Sequence, residues 1–492
     1  MKIVLLGSNS KEDMEKKIQI VASAGCLSRA DGTVTDVINS NNDYEKNLKI
    51  ARAIVNYGHR SISEHDYLVF AIEDVTPIVE QILISYRQTS FTVKSRRNVD
   101  FRSVGYYTPI FKNNNNEVID YNEMLANIYK KHQEKLFNYY GDFVDMGLPI
   151  EDARYILPYS FNSNLIMGCD VNELFRITSD LLYSKLSNID ELKSVGLEFK
   201  KIIDENRPYM SSSINKELDK DYYKDNLCFV DDLVKDKGGV INNIKFNDEE
   251  YENVDLNNTR LLDKVNILKY DDTAKYTICI NALANRYNLS YHDATNLLFS
   301  LGCENKDIKE RILKGILDSK YQREFEQVNY TFEFPISLAA LTHITRHRMH
   351  SLMFPDFVPL WNMENYIIPD TFDGELKDLY NNIYTDNKNM IDLFKRNGVR
   401  DEDLIYFYLS GNACNARTTM NLRNLEWVSR MRMCNKAQWE IRNIVTEMAN
   451  EVIEKDDSLK NILGPTCKIY GYCNEGKDSC KNRGVVVKKL VK

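Results

Sequence analysis

Three basic side chains, Arg346, His347 and Arg348, stand together at the end of an apolar run, and Ser351 follows three positions later. Two guanidinium forks beside a hydroxyl suit the gripping of phosphate, because each fork presents paired donors to paired oxygens. The same residues also suit a helix C-terminus, where cations complement exposed carbonyls and the negative end of the dipole. The triplet alone leaves both readings open. Ser95, Arg96 and Arg97 in KSRR, Arg154 after Glu151, and Arg423, Arg430 and Arg432 have the same character. Ser95 reads equally well as a polar loop residue beside solvated arginines. Arg154 reads equally well as the partner of Glu151 on its own helix, a contact worth roughly a few tenths of a kcal/mol. Arg430 and Arg432 are two apart and face different sides of a helix, so at most one points into a given site.

Repetition separates these readings. The run Pro335 to Ile344 leads into His347-Arg348-x-x-Ser351, and Pro77 to Leu83 leads into Tyr86-Arg87-x-x-Ser90. Each has a Pro opening that suits a first helical position, then apolar residues at helical spacing. The second helix is expected to end near Arg348. Upstream, LVFAIE after His65 and YTFEF after Gln327 alternate as half-buried strands do. A strand and a helix repeated in the same order predict an internal duplication.

Residues 2–6 (KIVLL) predict a first strand, and 42–58 an amphipathic helix stopped by Gly58. Asn113–Asn116 reads as a surface loop, and helices are expected from Asp120, from Pro149, and from Asn172 to about Glu205. The stretch 208–263, rich in Asp, Lys, Asn and Tyr with Gly238-Gly239, marks the junction and gives domains 1–235 and 236–492. VNILKY and KYTICINAL read as strands, followed by helices at 291–301 and 306–318, and a helical pattern resumes from Leu404 to Glu454.

A chain of 492 residues with 43% hydrophobic and 28% charged content is ordinary globular protein. Its 64 basic against 72 acidic residues give a net charge of −8, which offers no overall field for nucleic acid or an anionic membrane. Anion binding must be local. No apolar run approaches the roughly 18 residues of a membrane helix, and MKIVLLGSNSKED turns polar too soon for a secretory signal, so a cytoplasmic location is expected. The ten cysteines then read as reduced thiols. Cys467, Cys473 and Cys480 crowd into fourteen residues, which suggests a metal. Their spacing lacks a close C-x2-C pair and an obvious fourth ligand, so no metal is assigned and a reduced, exposed tail is preferred.

Arg346-His347-Arg348-x-x-Ser351, followed by Asn421-Leu422-Arg423 and by Arg432-x4-Ala437-Gln438-x-Glu440-Ile441-Arg442, resembles the flavin-dependent thymidylate synthase family. Both halves look like members. The resemblance covers nearly the whole chain and implies an α/β (α+β) protein of two homologous domains, each an antiparallel or mixed sheet packed with long helices. Members are usually about half this length and work as homotetramers, so a homodimer of tandem chains mimicking that tetramer is expected.

The family pattern is divided between the copies. The first keeps Ser95, Arg97 and the Ala153-Arg154-x-x-Leu157-Pro158 motif but has Ser85-Tyr86-Arg87 for Arg-His-Arg. The second keeps Arg346, His347 and Arg348, but Met353, Phe354, Asp356 and Val358 replace the substrate-binding part of the loop. Asp170 and Leu181 fall where the second copy has Asn421 and Arg432. The loop glutamate of the family is Val93 in one copy and Phe354 in the other, and Trp427 stands where an Asn is expected.

The resemblance implies FAD as cofactor, NADPH and methylenetetrahydrofolate as co-substrates, and dUMP as the acceptor that becomes dTMP. It assigns Ser95, Arg96, Arg97, Arg154, His343, Arg346 and Arg432 to dUMP. Ser61, Arg346, His347, Arg348, Ser351, Asn421 and Arg423 fall to FAD, and His59 to the folate side. Arg432 takes the catalytic role, a positive charge aimed at the pyrimidine edge that becomes negative when C5 turns nucleophilic. Each copy lacks what the other keeps, so sites composed from both are expected. Transfer of a hydroxymethyl group on the same scaffold is the alternative that Val93 and Trp427 leave open. A non-catalytic flavin- or nucleotide-binding relative is the other.

Overall fold

The computed structural model describes residues 1–7, 10–217, 259–302 and 306–475, with short segments between 229 and 255 and beyond 478. Much of the expected junction at 208–263 lies outside the described residues.

Two four-stranded antiparallel sheets carry the described chain. The first contains β1 (Lys2–Leu6), β2 (Tyr67–Val75), β3 (Ser90–Val93) and β4 (Ser163–Asp170) in the order β1-β2-β4-β3. The second contains β5 (Asn266–Lys269), β6 (Asn329–Ser337), β7 (Ser351–Met353) and β8 (Ala413–Asn421) in the order β5-β6-β8-β7. The orders are the same. Four helices follow the same rule: α1 (Pro77–Ser85), α2 (Asn122–Asp145), α3 (Val171–Tyr183) and α4 (Asp190–Asn206) are matched in sequence order by α5 (Leu338–Ile344), α6 (Gly374–Arg396), α7 (Leu422–Arg432) and α8 (Trp439–Lys455). The fold is α+β, and element n of the first copy corresponds to element n+4 of the second.

Register confirms the equivalence residue by residue. The first residue of β2, Tyr67, faces Asp170, and the first residue of β6, Asn329, faces Asn421. Asp170 and Asn421 then cap α3 and α7, accepting from the backbone N–H of Glu173 and Asn424. The copies differ by one residue in the central strand. Asp74 takes a left-handed φ of 55° where the β2–β4 register slips, the signature of a bulge that absorbs one extra residue.

A carboxylate fixes each strand-to-helix junction. Glu191 of α4 accepts from the Thr76 amide at 2.9 Å and its hydroxyl at 2.7 Å. Glu440 of α8 accepts from the Ser337 amide at 2.7 Å and its hydroxyl at 2.6 Å. All four residues are buried, so these bonds satisfy groups that water cannot reach.

Five expectations are corrected. Pro335 is not a first helical residue: it lies inside β6, and Ser337 caps α5. A proline is tolerated there because β5 pairs only as far as Glu333, leaving the Pro335 nitrogen without a ladder partner to lose. The aligned helix starts are therefore Pro77 and Leu338, and α5 ends at Ile344, short of Arg348. KYTICINAL is helical, within Ala274–Tyr287, because Ala274, Ile278, Cys279 and Leu283 bury one helical face. The stretch 404–454 is interrupted by strand β8, and the single helix expected from Asn172 breaks at the turn Lys185–Asn188. The helix stopped by Gly58 spans Tyr44–Asn56, and Gly58 takes φ +94°, a conformation glycine adopts without steric cost.

The chain forms two compact units, each built from three segments. One comprises Met1–Thr259, Phe357–Glu364 and Ile368–Ser410; the other comprises Arg260–Asp356, Asn365–Ile367 and Gly411–Lys492. These compact units are not the two homologous copies expected on either side of 235/236, a position that lies outside the described residues. Within the first unit, α2 and α6 lie together: His132 Nε2 meets Asn387 Oδ1 at 2.8 Å, and the Tyr384 hydroxyl donates to the Tyr155 carbonyl at 2.8 Å. In this unit Phe70 of β2 meets Phe199 of α4 edge-on at 5.3 Å. Among the described residues no helix is long and apolar enough to cross a membrane.

Candidate active site

In the first unit the basic set gathers just beyond β3. Ser95 opens a tight turn, its hydroxyl accepting from the Arg97 amide at 3.3 Å and the Asn98 side chain at 3.2 Å. Arg97 Nε pairs with Glu151 at 2.8 Å, both side chains about 30% exposed. Arg154, 2% exposed, donates from Nε to the Glu151 backbone carbonyl at 3.1 Å. Glu151 thus binds one arginine through its carboxylate and the other through its main chain.

Arg96 is differently engaged. Its guanidinium pairs with Glu80 of α1, and Glu80 also accepts from the Ser163 hydroxyl at 2.7 Å; all three residues are buried. Sequence reasoning missed Glu80. The signal was a lone carboxylate inside the apolar helix PIVEQILIS, since a buried charge requires a partner. Burial, together with Arg96 and Arg97 nearby, pushes Arg154 down to about 10. His59, which precedes the turn Arg60–His65, and Ser61 within it are exposed in the same unit.

In the second unit, Arg346, His347 and Arg348 occupy the turn after α5, with His347 N–H donating to the Ile344 carbonyl at 3.0 Å. Arg346 and Arg348 are exposed, as is Ser351 on β7. Arg432, at the end of α7, donates from Nε to His347 Nε2 at 2.8 Å and from Nη2 to the His343 carbonyl at 3.0 Å. His347 is thereby fixed as the tautomer with its proton on Nδ1. Burial, then the charge of Arg432, pushes it down to about 3, so the ring is neutral. Beneath the turn, buried His350 donates from Nε2 to the Ile344 carbonyl at 3.2 Å, and its Nδ1 accepts from the Thr418 hydroxyl at 2.6 Å.

The remaining residues of the second set divide by surroundings. Asn421 is the α7 cap. Arg423 pairs with Glu326, which Arg323 also contacts at 2.9 Å. Asn424, not singled out in the sequence, ties α7 to the basic turn by donating to the Met349 carbonyl at 2.6 Å. Arg430 faces another way from Arg432, as their spacing predicts: its guanidinium lies 5.1 Å from the Trp427 ring and 4.5 Å from the Tyr470 ring. Trp427 is 52% exposed.

The two donor sets fit different anions. The first-unit set combines a buried cation, a half-buried cation and a hydroxyl, a match for a compact dianion. The second presents two exposed guanidinium groups and a hydroxyl beside a neutral ring, donors suited to an extended anion.

A family profile described as "Thymidylate synthase complementing protein" matches residues 11–205 and again 269–456. Flavin-dependent thymidylate synthases resemble the chain as follows. That of Thermococcus onnurineus is 28% identical over 229 residues, covering 44% of this chain and 90% of its own length. That of Clostridium tetani is 30% identical over 212 residues, covering 38% and 83%. A solved structure, a UMP/dUMP methylase PolB from Streptomyces cacaoi bound with 5-Br dUMP, aligns at 19% identity with a TM-score of 0.37, covering 44% of this chain and 94% of its own. The two synthase matches each span less than half of this chain and most of the relative's own length, as two copies per chain require. The twofold match of the profile, the twofold sheet order and the twofold carboxylate junction agree: the chain belongs to the flavin-dependent thymidylate synthase family, as a tandem duplication of the family domain.

Proposed function

We propose that the chain is an FAD-dependent thymidylate synthase that converts dUMP to dTMP, with methylenetetrahydrofolate as one-carbon donor and NADPH as reductant. The observation that carries the assignment of dUMP is the gathering of Ser95, Arg97 and the buried Arg154 just beyond β3, with both arginines engaged by Glu151. A nucleotide 5′-phosphate would be held by Arg97, Arg154 and the Ser95 hydroxyl. The basic turn of the second copy, Arg346, His347 and Arg348 with Ser351, would hold the flavin, whose chemistry when bound is delivery of a hydride. The copies act together in turnover because each supplies what the other lacks, and two chains associate as the equivalent of the family tetramer.

In this reaction C5 of the pyrimidine forms a bond to the methylene carbon, the C5 proton is lost, the bond from that carbon to the folate nitrogen breaks so that tetrahydrofolate leaves, and a hydride originating from NADPH completes the methyl group. C5 attacks only when electron density moves through the ring, leaving negative charge at N3 and O2. Arg432 is the residue assigned to that edge. Its bonds to His347 Nε2 and the His343 carbonyl hold the guanidinium in one orientation, and an oriented charge costs no reorganisation when the substrate charge develops. Neutral His347 accepts from Arg432 without competing for its charge.

The test is anaerobic incubation with dUMP, methylenetetrahydrofolate, NADPH and FAD, followed by the mass of the nucleotide. A gain of one methylene unit supports the proposal. A hydroxymethyl product, or unchanged dUMP with bound flavin, refutes it. Arg97→Ala should weaken dUMP binding by roughly tenfold or more with flavin absorbance retained, and Arg348→Ala should do the reverse. Equal loss of flavin in both variants would refute the division of labour.

A further inference from the structure

The C-terminal tail is docked. The Tyr470 hydroxyl donates to Glu426 of α7 at 2.9 Å, and the Gly464 amide donates to the Ser429 hydroxyl at 3.2 Å. Docking brings Cys467 and Cys473 beside a fourth cysteine that sequence spacing could not connect to them. That residue is Cys434, two positions after Arg432. Together with Cys480 they line one cavity of about 670 Å³. All four are free thiols, three of them half-buried and Cys480 exposed. Cys467 and Cys473 lie close enough to Cys434 that their charge adds to burial and to Glu475 in raising its pKa, and the Asn435 side chain reaches Cys480 Sγ at 3.8 Å.

We propose that Cys434, Cys467, Cys473 and Cys480 form a four-thiolate centre for a soft divalent cation, zinc, that clamps the tail to the end of α7. Four cysteines lining one partly open cavity are not the pattern of cysteines packed as small apolar residues, which are sealed in cores as Cys169 and Cys279 are. A zinc ion with four thiolates carries a net charge of about −2, which requires cations around it. Lys436, Arg442 and Lys468 line the same cavity and supply them. Among the described residues no three metal-ligating side chains converge on one point. The four thiols line the cavity, and in the proposed centre rotation about χ1, the single torsion placing a cysteine sulfur, would turn them toward one ion. The long spacings within the tail, which argue against a zinc knuckle read from sequence, impose no obstacle once the fold supplies Cys434 as the fourth ligand.

The centre has a structural consequence for the reaction. It would pin the residue two places beyond Arg432, making it a positioning device for that guanidinium.

The experiment uses the full chain, expressed with added zinc and purified anaerobically without chelator. The expected result is one zinc per chain by elemental analysis. Peptide mass mapping should find the four cysteines shielded from alkylation until a chelator is added, with Cys26 labelled throughout. Cobalt substitution should give the charge-transfer and d–d bands of a tetrahedral thiolate. Cys434→Ser and Cys473→Ser should each lower zinc affinity by about tenfold or more, and Cys26→Ser should not. Absence of stoichiometric metal with all four thiols alkylated from the start overturns the proposal without any variant. A disulfide among the four in the anaerobic protein overturns it as well, and iron with acid-labile sulfide overturns the assignment of zinc.

Discussion

Arg432 Nε lies 2.8 Å from His347 Nε2, so the guanidinium donates to the imidazole and the imidazole cannot take up a proton there. His347 is depressed from 6.5 to about 3. An unfolded chain protonates this ring below pH 6.5, whereas the folded chain does not until about pH 3. Stability is therefore complete above pH 6.5 and declines as pH falls, by at most about 1.4 kcal/mol per pH unit. His347→Gln should lose roughly 1 kcal/mol less than the native chain between pH 6.5 and 5.5, measured by urea unfolding. Arg432→Met should raise the His347 pKa measured by NMR, though not to 6.5, because burial is the larger cause.

Arg96 is expected to act on folding. Replacing it by Ala leaves Glu80 charged and buried, a loss of about 3–5 kcal/mol. The double replacement Arg96→Met with Glu80→Met should recover most of that loss in a thermal melt. Arg97→Ala, whose partner Glu151 is partly exposed, should cost under about 1 kcal/mol in the same assay.

The paired carboxylate junctions should respond separately. Glu440→Gln turns an acceptor of two bonds into one that also presents donors to donors, and should cost about 2–3 kcal/mol in urea unfolding. Glu191 has the opposite pH behaviour to His347. Burial raises it to about 7 against the bonds from Thr76 and Tyr406 that lower it. The folded chain then holds a proton that the unfolded chain releases above pH 4.5, so stability declines as pH rises from 4.5 to 7. Glu191→Gln should flatten that part of the stability profile.

The seam between α2 and α6 gives a further prediction. Asn387 bonds to His132 through Oδ1 and donates to the Phe407 carbonyl from Nδ2 at 2.7 Å, all buried. Asn387→Ala leaves two buried groups without that partner and should cost about 2–4 kcal/mol by thermal unfolding. A fragment of residues 1–235 lacks α6 altogether. Alone it should show non-native hydrogen exchange across α2, and co-expression with residues 259–492 should restore protection.

The duplication was legible because strands β2 and β6 alternate strongly: Leu68, Phe70 and Ile72 are buried in one, and Tyr330, Phe332, Phe334 and Ile336 in the other. β8 was not, since its buried face is Cys414, Ala416, Thr418 and Met420, too weakly apolar to stand out against Asn415, Arg417 and Thr419 on the exposed face. Pro335 misled for a physical reason: proline marks helix starts more often than strands, and only the early end of β5 makes it acceptable. The arginines of the site could be read from the sequence, but their engagements could not. Glu80 and Glu151 reach Arg96 and Arg97 from 16 and 54 positions away, and Cys434 meets the tail cysteines only through docking. Such contacts depend on tertiary closure, which local periodicity does not encode.

Neither compact unit is a continuous length of chain, and residues 368–410, which include α6, belong with the amino-terminal unit. A stop codon anywhere between positions 260 and 410 therefore damages both units at once. The connectivity ties the two copies into one folding problem, in which neither compact unit can be completed from its own uninterrupted stretch of sequence.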